Sequence, residues 1–245
     1  MKQITVITGA SRGIGATTAR VCAAAGHDVC VVYKAAKDEA LSVVADIEAA
    51  GRRGIAVQAD TGVESDVVRL FNTVDAELGV LTGLVNNAGV IGPHGRLDGL
   101  TQDDIMKVLA VNVAGLFTCS REAVKRMSTA QGGAGGAIVN VSSGSATRGN
   151  PGVGILYAAS KGAVNSLGIG LSQEVAGEGI RVNTVAPGLT ETDMAAPERI
   201  AREGPTIPMG RVAQPEEIAE AIVWLLSPKA SYVAGANLRV GGGRP

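Results

Sequence analysis

Short apolar runs rich in β-branched residues alternate along the chain with longer stretches of helical periodicity. Ile4–Thr8 reads as a buried strand, and Gly13–Ala25 as the helix that follows, closed by Gly26. Val29–Tyr33 is a second strand, and a helix from about Asp38 to Ala50 ends at Gly51. Gly54–Ala59 is a third strand, Glu64–Leu78 a helix stopped by Gly79, and Leu84–Asn86 a short fourth strand. Ile138–Val141, Arg181–Val185 and Asn237–Val240 read as three more strands. Long helical segments lie between them, including Tyr157–Ala176 and Pro215–Leu226. A glycine just after a helix suits the left-handed C′ position. The strands are apolar throughout and do not alternate, as expected of strands covered on both faces. Strand–helix alternation at this rhythm implies right-handed crossovers and a parallel sheet. The expected fold is α/β: one Rossmann-type doubly wound sheet of about seven parallel strands with helices on both faces. No composition break marks a second unit, so residues 1–245 are expected to form a single domain. The glycine-rich run Gly132–Gly136 is read as the loop entering the fifth strand.

Composition narrows the function. Apolar residues make up 46% and charged residues 18%, which fits a well-buried globular protein and not a disordered one. The net charge of −1 leaves no basic excess to neutralise a nucleic-acid backbone, and with 2% aromatics no stacking platform for single strands is expected. Cys22, Cys30 and Cys119 are widely spaced and are read as buried, reduced thiols of a cytoplasmic protein. The opening Met1–Ile7 is too short an apolar run for a secretory leader. No stretch approaches the roughly 20 apolar residues needed to cross a bilayer. No Cys/His/Asp cluster has metal-ligand spacing, and no GxSxG elbow stands at a strand end.

Candidate chemistry starts where the first strand ends, at Thr8-Gly9-Ala10-Ser11-Arg12-Gly13-Ile14-Gly15. Glycines let the backbone turn sharply and approach a pyrophosphate, and the helix N-terminus behind them offers free N–H groups and a positive dipole end. The spacing is GxxxGxG and lacks the GK[ST] ending of a nucleotide-hydrolysing loop. A tight strand-to-helix turn without a ligand would look the same in isolation. Position after the first strand favours a dinucleotide. An NAD-binding chain places a carboxylate at the end of the second strand. Asp28 has the right offset but the wrong end: five residues at ~3.3 Å each put it about 16 Å from Tyr33. Tyr33-Lys34, Lys37 and the loop residue Arg12 offer cations with no acid nearby, which suits a 2′-phosphate. NADP(H) is therefore the expected cofactor, although Lys34 and Lys37 would also suit a solvated loop.

Of three tyrosines, Tyr157 stands four residues before Lys161, one turn apart on a helix face. A phenol titrates near 10, and a nearby ammonium favours phenolate and lowers that value. Tyrosine can then exchange a proton with a substrate oxygen. Chance produces this spacing often, but the strand Ile138–Val141 runs into Ser142-Ser143 at the carboxyl edge of the sheet, where such folds bind ligands. Asn112, inside an apolar helix, needs hydrogen-bond partners if buried.

With these motifs, and with Asp60, Asn86-Asn87-Ala88-Gly89 and Pro187-Gly188, essentially the whole chain resembles the short-chain dehydrogenase/reductase family, closest to its 3-oxoacyl-carrier-protein-reductase-like and glucose 1-dehydrogenase-like members. The resemblance implies Tyr157 as general acid/base. It implies Lys161 on the nicotinamide ribose, lowering the tyrosine's pKa, and Ser143, the second of its pair, on the substrate oxygen. Asn112 would anchor a water chain. Asp60 and Thr61 would contact adenine, Asn86 the adenosine ribose region, and Ala88-Gly89 the cofactor backbone. Pro187–Thr192 would cover the nicotinamide, with Thr190 and Thr192 near its carboxamide. Gly9, Ser11, Arg12, Gly13, Ile14 and Gly15 would cradle the phosphates, with Tyr33 and Lys34 beside them. The gap from Ser143 to Tyr157 is one residue longer than in many members. The family implies seven parallel strands and a homotetramer or dimer, and the segment Ser231–Gly243 resembles the part that builds its subunit interface.

The expected activity is NADP(H)-dependent interconversion of a carbonyl and an alcohol on a small molecule; a nonenzymatic dinucleotide sensor on the same fold is the alternative. His27 is read as structural, and His94 as a loop residue near the active edge. The pocket-shaping segments contribute Ile91, His94, Ile155, Leu156, Met194, Ile207 and Met209, which points to a fairly hydrophobic substrate.

Overall fold

The computed structural model describes residues 2–244; Met1 and Pro245, the ends of the expected domain, lie outside the described residues. Seven strands form one sheet: β1 (Gln3–Ile7), β2 (His27–Tyr33), β3 (Gly54–Gln58), β4 (Gly83–Asn86), β5 (Gly136–Val141), β6 (Ile180–Pro187) and β7 (Asn237–Val240). All neighbours are parallel, in the order β3-β2-β1-β4-β5-β6-β7. The doubly wound expectation is met strand for strand. β2 begins two residues earlier than the apolar run indicates, because His27 and Asp28 are buried by partners, not by apolarity. His27 Nδ1 lies 2.8 Å from Thr5 Oγ1. Asp28 is 2.8 Å from Lys2 Nζ and 2.7 Å from Arg52 Nη2. Burial pushes the Asp28 carboxyl up, but these cations and the Arg53 N–H hold it below the usual carboxylate range. Asp28 thus anchors the far edge of the sheet, as its strand position requires.

Between the strands run α1 (Gly13–Ala24), α2 (Lys37–Ala49), α3 (Glu64–Glu77), α4 (Gln102–Leu109), α5 (Leu116–Met127), α6 (Ser145–Arg148), α7 (Ile155–Val175), α8 (Pro197–Glu203) and α9 (Pro215–Leu226). Each central strand feeds two cores because successive side chains point to opposite faces. Val29 and Val31 pack with Ala16, Ala19 and Ala23 of α1, Val43 and Ile47 of α2 and Ile218 and Ile222 of α9. Cys30 and Val32 pack with Leu70 and Phe71 of α3 and Cys119, Ala123 and Met127 of α5. Small side chains on α1 let it approach the sheet closely, and that fixes the loop in front of it. The three cysteines are buried and unpaired, and burial pushes the Cys22 and Cys119 thiols up to about 12.

α4 does not run straight into α5. Ala110–Gly115 forms a π-helical turn between them, where sequence periodicity reads plain helix. Such a turn inserts one residue without breaking the helix, and it commonly marks a functional position. No helix among the described residues is long and apolar enough to cross a membrane.

Candidate active site

The strand order reverses between β1 and β4, and the loops leaving their carboxyl ends diverge to open a crevice. The glycine loop lines it from one side. Thr8 Oγ1 accepts hydrogen bonds from the N–H groups of Asn87 and Ala88, both at 3.0 Å. Asn87 Nδ2 donates to the carbonyls of Thr8 (2.9 Å) and Gly9 (3.0 Å). The two loops are thereby locked edge to edge. Gly13 has φ +54°, and a Cβ at Gly15 would run into the Gly9 carbonyl and Asn87 Nδ2. Behind the loop α1 starts with no side-chain cap at Arg12 and no acid in its first turn, whereas α2 and α3 carry acids there. Its N–H groups and dipole therefore face an anion site that no side chain of the helix neutralises.

A cavity of about 510 Å³ runs from this loop along the sheet edge. One end is walled by Arg12, Tyr33, Lys34, Asp60 and Thr61; Gly9, Ser11, Ile14, Ala88 and Gly89 line its middle. Arg12 is exposed and forms no ion pair among the described residues. Lys34 does form one, 2.6 Å from Asp60 Oδ2, and this contact holds the Asp60 carboxyl below its usual range. The expectation of no acid nearby is thus corrected: β2 and β3 pair in register from Val29↔Gly54 to Tyr33↔Gln58, so their exits bring Lys34 and Asp60 together across 26 residues of chain. Lys37 opens α2 and does not reach the wall. Asn86 is also corrected. It is buried, donating to Ser120 Oγ (3.0 Å) and Asn140 Oδ1 (2.9 Å) beneath the sheet edge, and Asn87 faces the cavity in its place.

At the other end the cavity meets Ser143, Tyr157 and Lys161 together with Pro187, Gly188, Thr190 and Thr192. Tyr157 and Lys161 share one face of α7, with the ammonium 5.8 Å from the phenol ring centre. Lys161 is 4% exposed, donates to the Val141 carbonyl at 2.7 Å and faces no carboxylate; burial brings its pKa down to about 8. The phenol behaves differently from the sequence expectation. Burial raises Tyr157 above its ordinary value, opposed by the Ser143 hydroxyl and the Arg199 charge. The Lys161 ammonium, held by the Val141 carbonyl 5.8 Å from the ring centre, does not offset this burial. Ser142 and Ser143 separate cleanly: Ser142 Oγ donates to the Lys161 carbonyl at 3.1 Å, while Ser143 lies by the phenol.

Asn112 sits in the π-helical turn, 1% exposed and outside the cavity wall. Its Oδ1 accepts from Val90 N–H (2.8 Å), and its Nδ2 donates to the Val90 carbonyl (2.9 Å) and Ser160 Oγ (3.0 Å). Ser160 Oγ in turn donates to the Tyr157 carbonyl at 2.7 Å. Asn112 thus ties the loop after β4 to the helix that carries the tyrosine. Gly89 lies between them, and a Cβ there would touch both Asn112 Oδ1 and Lys161 Nζ at 3.4 Å.

Residues 9–244 match a family model described as enoyl-(acyl carrier protein) reductase. An uncharacterized oxidoreductase of Escherichia coli K12, YgfF, is 48% identical over 98% of this chain and 99% of its own length. A cis-4-hydroxycyclohexanecarboxylate dehydrogenase of Sinomonas cyclohexanicum is 38% identical over 99% and 96%. A short-chain dehydrogenase of Burkholderia cenocepacia, solved in complex with NADP, superposes with a TM-score of 0.91 at 36% identity, covering 99% of this chain and 97% of that one. The chain belongs to the short-chain dehydrogenase/reductase family.

In this family member the cavity wall beyond the tyrosine is less apolar than its sequence segments indicate. Ile91, His94 and Met194 line it, but Ile155, Leu156, Ile207 and Met209 do not. Arg148, Asp193 and Arg199 do. Sequence reading missed both arginines. One follows Ser143 by five residues and the other lies between Met194 and Ile207. No group of three or more His, Cys, Asp or Glu able to hold a metal ion occurs among the described residues.

Proposed function

We propose that this chain interconverts a carbonyl and an alcohol with NADP(H), acting as a single dinucleotide-binding unit. The observation that carries the reading is one cavity with an open helix N-terminus and the unpaired Arg12 at one end and Tyr157, Ser143 and Lys161 at the other. The relative solved with NADP and the relative named as a dehydrogenase support it. The residues present fit the cofactor. The backbone of Gly9 to Gly15 would hold the pyrophosphate, Arg12 and Lys34 beside Tyr33 the 2′-phosphate, and Asp60 and Thr61 the adenine. Asn87, Ala88 and Gly89 would border the ribose, Lys161 the second ribose, and Pro187, Gly188, Thr190 and Thr192 the nicotinamide. When bound, NADPH supplies the hydride.

This chain's residues manage the oxygen. Ser143 holds the substrate carbonyl oxygen by a hydrogen bond. Tyr157, a phenol whose raised pKa extends its protonated range further into alkaline pH, donates a proton to that oxygen. Lys161 and the Asn112–Ser160 tie hold the first turn of α7 in place. Alcohol oxidation needs the phenolate, so its rate rises with pH while carbonyl reduction falls off at alkaline pH. Tyr157→Phe removes only the transferable proton. We expect it to lower turnover by about 10²–10⁴-fold while NADPH binding, followed by fluorescence titration, stays nearly unchanged. Wild-type turnover in this variant would overturn the mechanism. NADPH binding with no turnover of any ketone by the intact protein would favour the sensor.

We further infer a homotetramer (or dimer) in a reducing cytoplasm, in keeping with three unpaired buried thiols. Exposed Phe117 on α5, Ile169 on α7, Trp224 on α9 and Tyr232 before β7 offer apolar surface for self-association.

A further inference from the structure

The substrate end of the cavity carries positive charge that the described residues do not neutralise. Arg148, the last residue of α6, lines the cavity, is exposed and forms no ion pair among the described residues. Arg199 of α8 lines the same wall and pairs with Glu203 at 3.0 Å. That single carboxylate is shared with Arg202 (3.3 Å) and Arg244 (3.4 Å). Arg239 adds a further cation: its Nη1 and Arg148 Nη2 both lie beside Gly144, next to Ser143. Burial lowers the Arg148 pKa, and the charges of Arg244, Arg239 and Arg199 lower it further, with only Glu203 opposing. Asp193 is the one acid on this stretch of wall, and it pairs with none of these arginines. Among the described residues, five guanidinium groups gather around one shared carboxylate, a costly arrangement for a fold to keep without a use, and an anion in the cavity relieves it.

We propose that the substrate carries, besides its carbonyl, a carboxylate that Arg148 and Arg199 hold at the cavity wall, while Ile91, Val153 and Met194 cover its carbon skeleton. This rests on the oxidoreductase reading above and names the substrate class, a small oxo acid and its hydroxy acid. A guanidinium fork matches a carboxylate in plane, which fixes the orientation of the distant carbonyl. In the reduction, the hydride of NADPH adds to the carbonyl carbon, and the C=O π pair moves to oxygen and takes the Tyr157 proton. The phenolate regains a proton from solvent, NADP⁺ leaves, and the carboxylate is unchanged.

The test separates binding from chemistry. Protein saturated with NADP⁺ cannot reduce a ketone, so calorimetric titration reads binding alone. The probes are 4-oxocyclohexanecarboxylate and its methyl ester. A charge-assisted pair predicts that the acid binds at least about tenfold more tightly than the ester. Arg148→Gln and Arg199→Gln each bring that ratio toward one. Arg202→Gln, on a side chain 72% exposed and off the cavity wall, leaves it unchanged. Assays with NADPH then show the loss chiefly as a higher KM for the acid. Equal binding of acid and ester, or a ratio unmoved by both cavity variants, overturns the carboxylate. A phosphorylated ketone bound in preference to the oxo acid overturns it too, assigning the arginines to a phosphate. An acid preference without turnover keeps the anion site and sinks the oxidoreductase reading; equal turnover of acid and ester does the reverse.

Discussion

Lys161 shows what a buried ammonium costs the fold. A pKa brought from 10.5 to about 8 corresponds to about 3 kcal/mol of destabilisation at neutral pH. The folded value lies below the unfolded one, so folding expels a proton between these limits. The penalty is full below about pH 8, fades as pH rises, and is gone above 10.5. Lys161→Met should therefore stabilise the cofactor-free protein at pH 7, by up to about 3 kcal/mol, and by much less at pH 10. Urea melts of variant and wild type at the two pH values measure this; an unchanged midpoint at pH 7 would mean that the Val141 hydrogen bond compensates the buried charge. At this scale the sequence was informative about identity and less so about environment. Tyr157 and Lys161 stand out by spacing. The sign of the tyrosine shift does not, because it depends on how much water the fold removes from both.

Among elements, the glycine loop was the most legible, since its turn, its place after β1 and the helix behind it are all local. What escaped reading were contacts between elements distant in sequence. Lys34 meets Asp60 only because β2 and β3 lie in register. Asn86 and Asn87 are adjacent, yet one closes a buried network and the other clasps the glycine loop. Gly15 carries the tightest approach in the loop, with backbone on one side and Asn87 on the other. Gly15→Ala must push the two loops apart. We expect a loss of about 1–3 kcal/mol in stability and a weaker affinity for NADPH, read by thermal melts with and without the nucleotide. An alanine variant that binds NADPH as the wild type does would show that the loop relaxes without opening.

Across the whole molecule, strand count, order class and two-sided burial were all legible, because a parallel sheet covered on both faces leaves an apolar signature in every strand. The surface was less so. Trp224 is 42% exposed and Tyr232 fully exposed, apolar groups that a lone monomer would leave in water. Size-exclusion chromatography with light scattering should give a mass that is a multiple of 24.7 kDa, and charged substitutions at Ile169 and Trp224 should lower it. A monomer at micromolar concentration would refute the assembly. The π-helical turn, finally, bears on how this chain can change over generations. Deleting one residue from Ala110–Gly115 would restore plain helix, shorten it by about 1.5 Å and swing everything beyond it by about 100°. Asn112 would leave Val90, and Gly115 would leave its seat against Thr61. Every residue of the turn is therefore counted, and descendants of the chain should keep the length from Thr101 to Met127 unchanged while side chains along it vary.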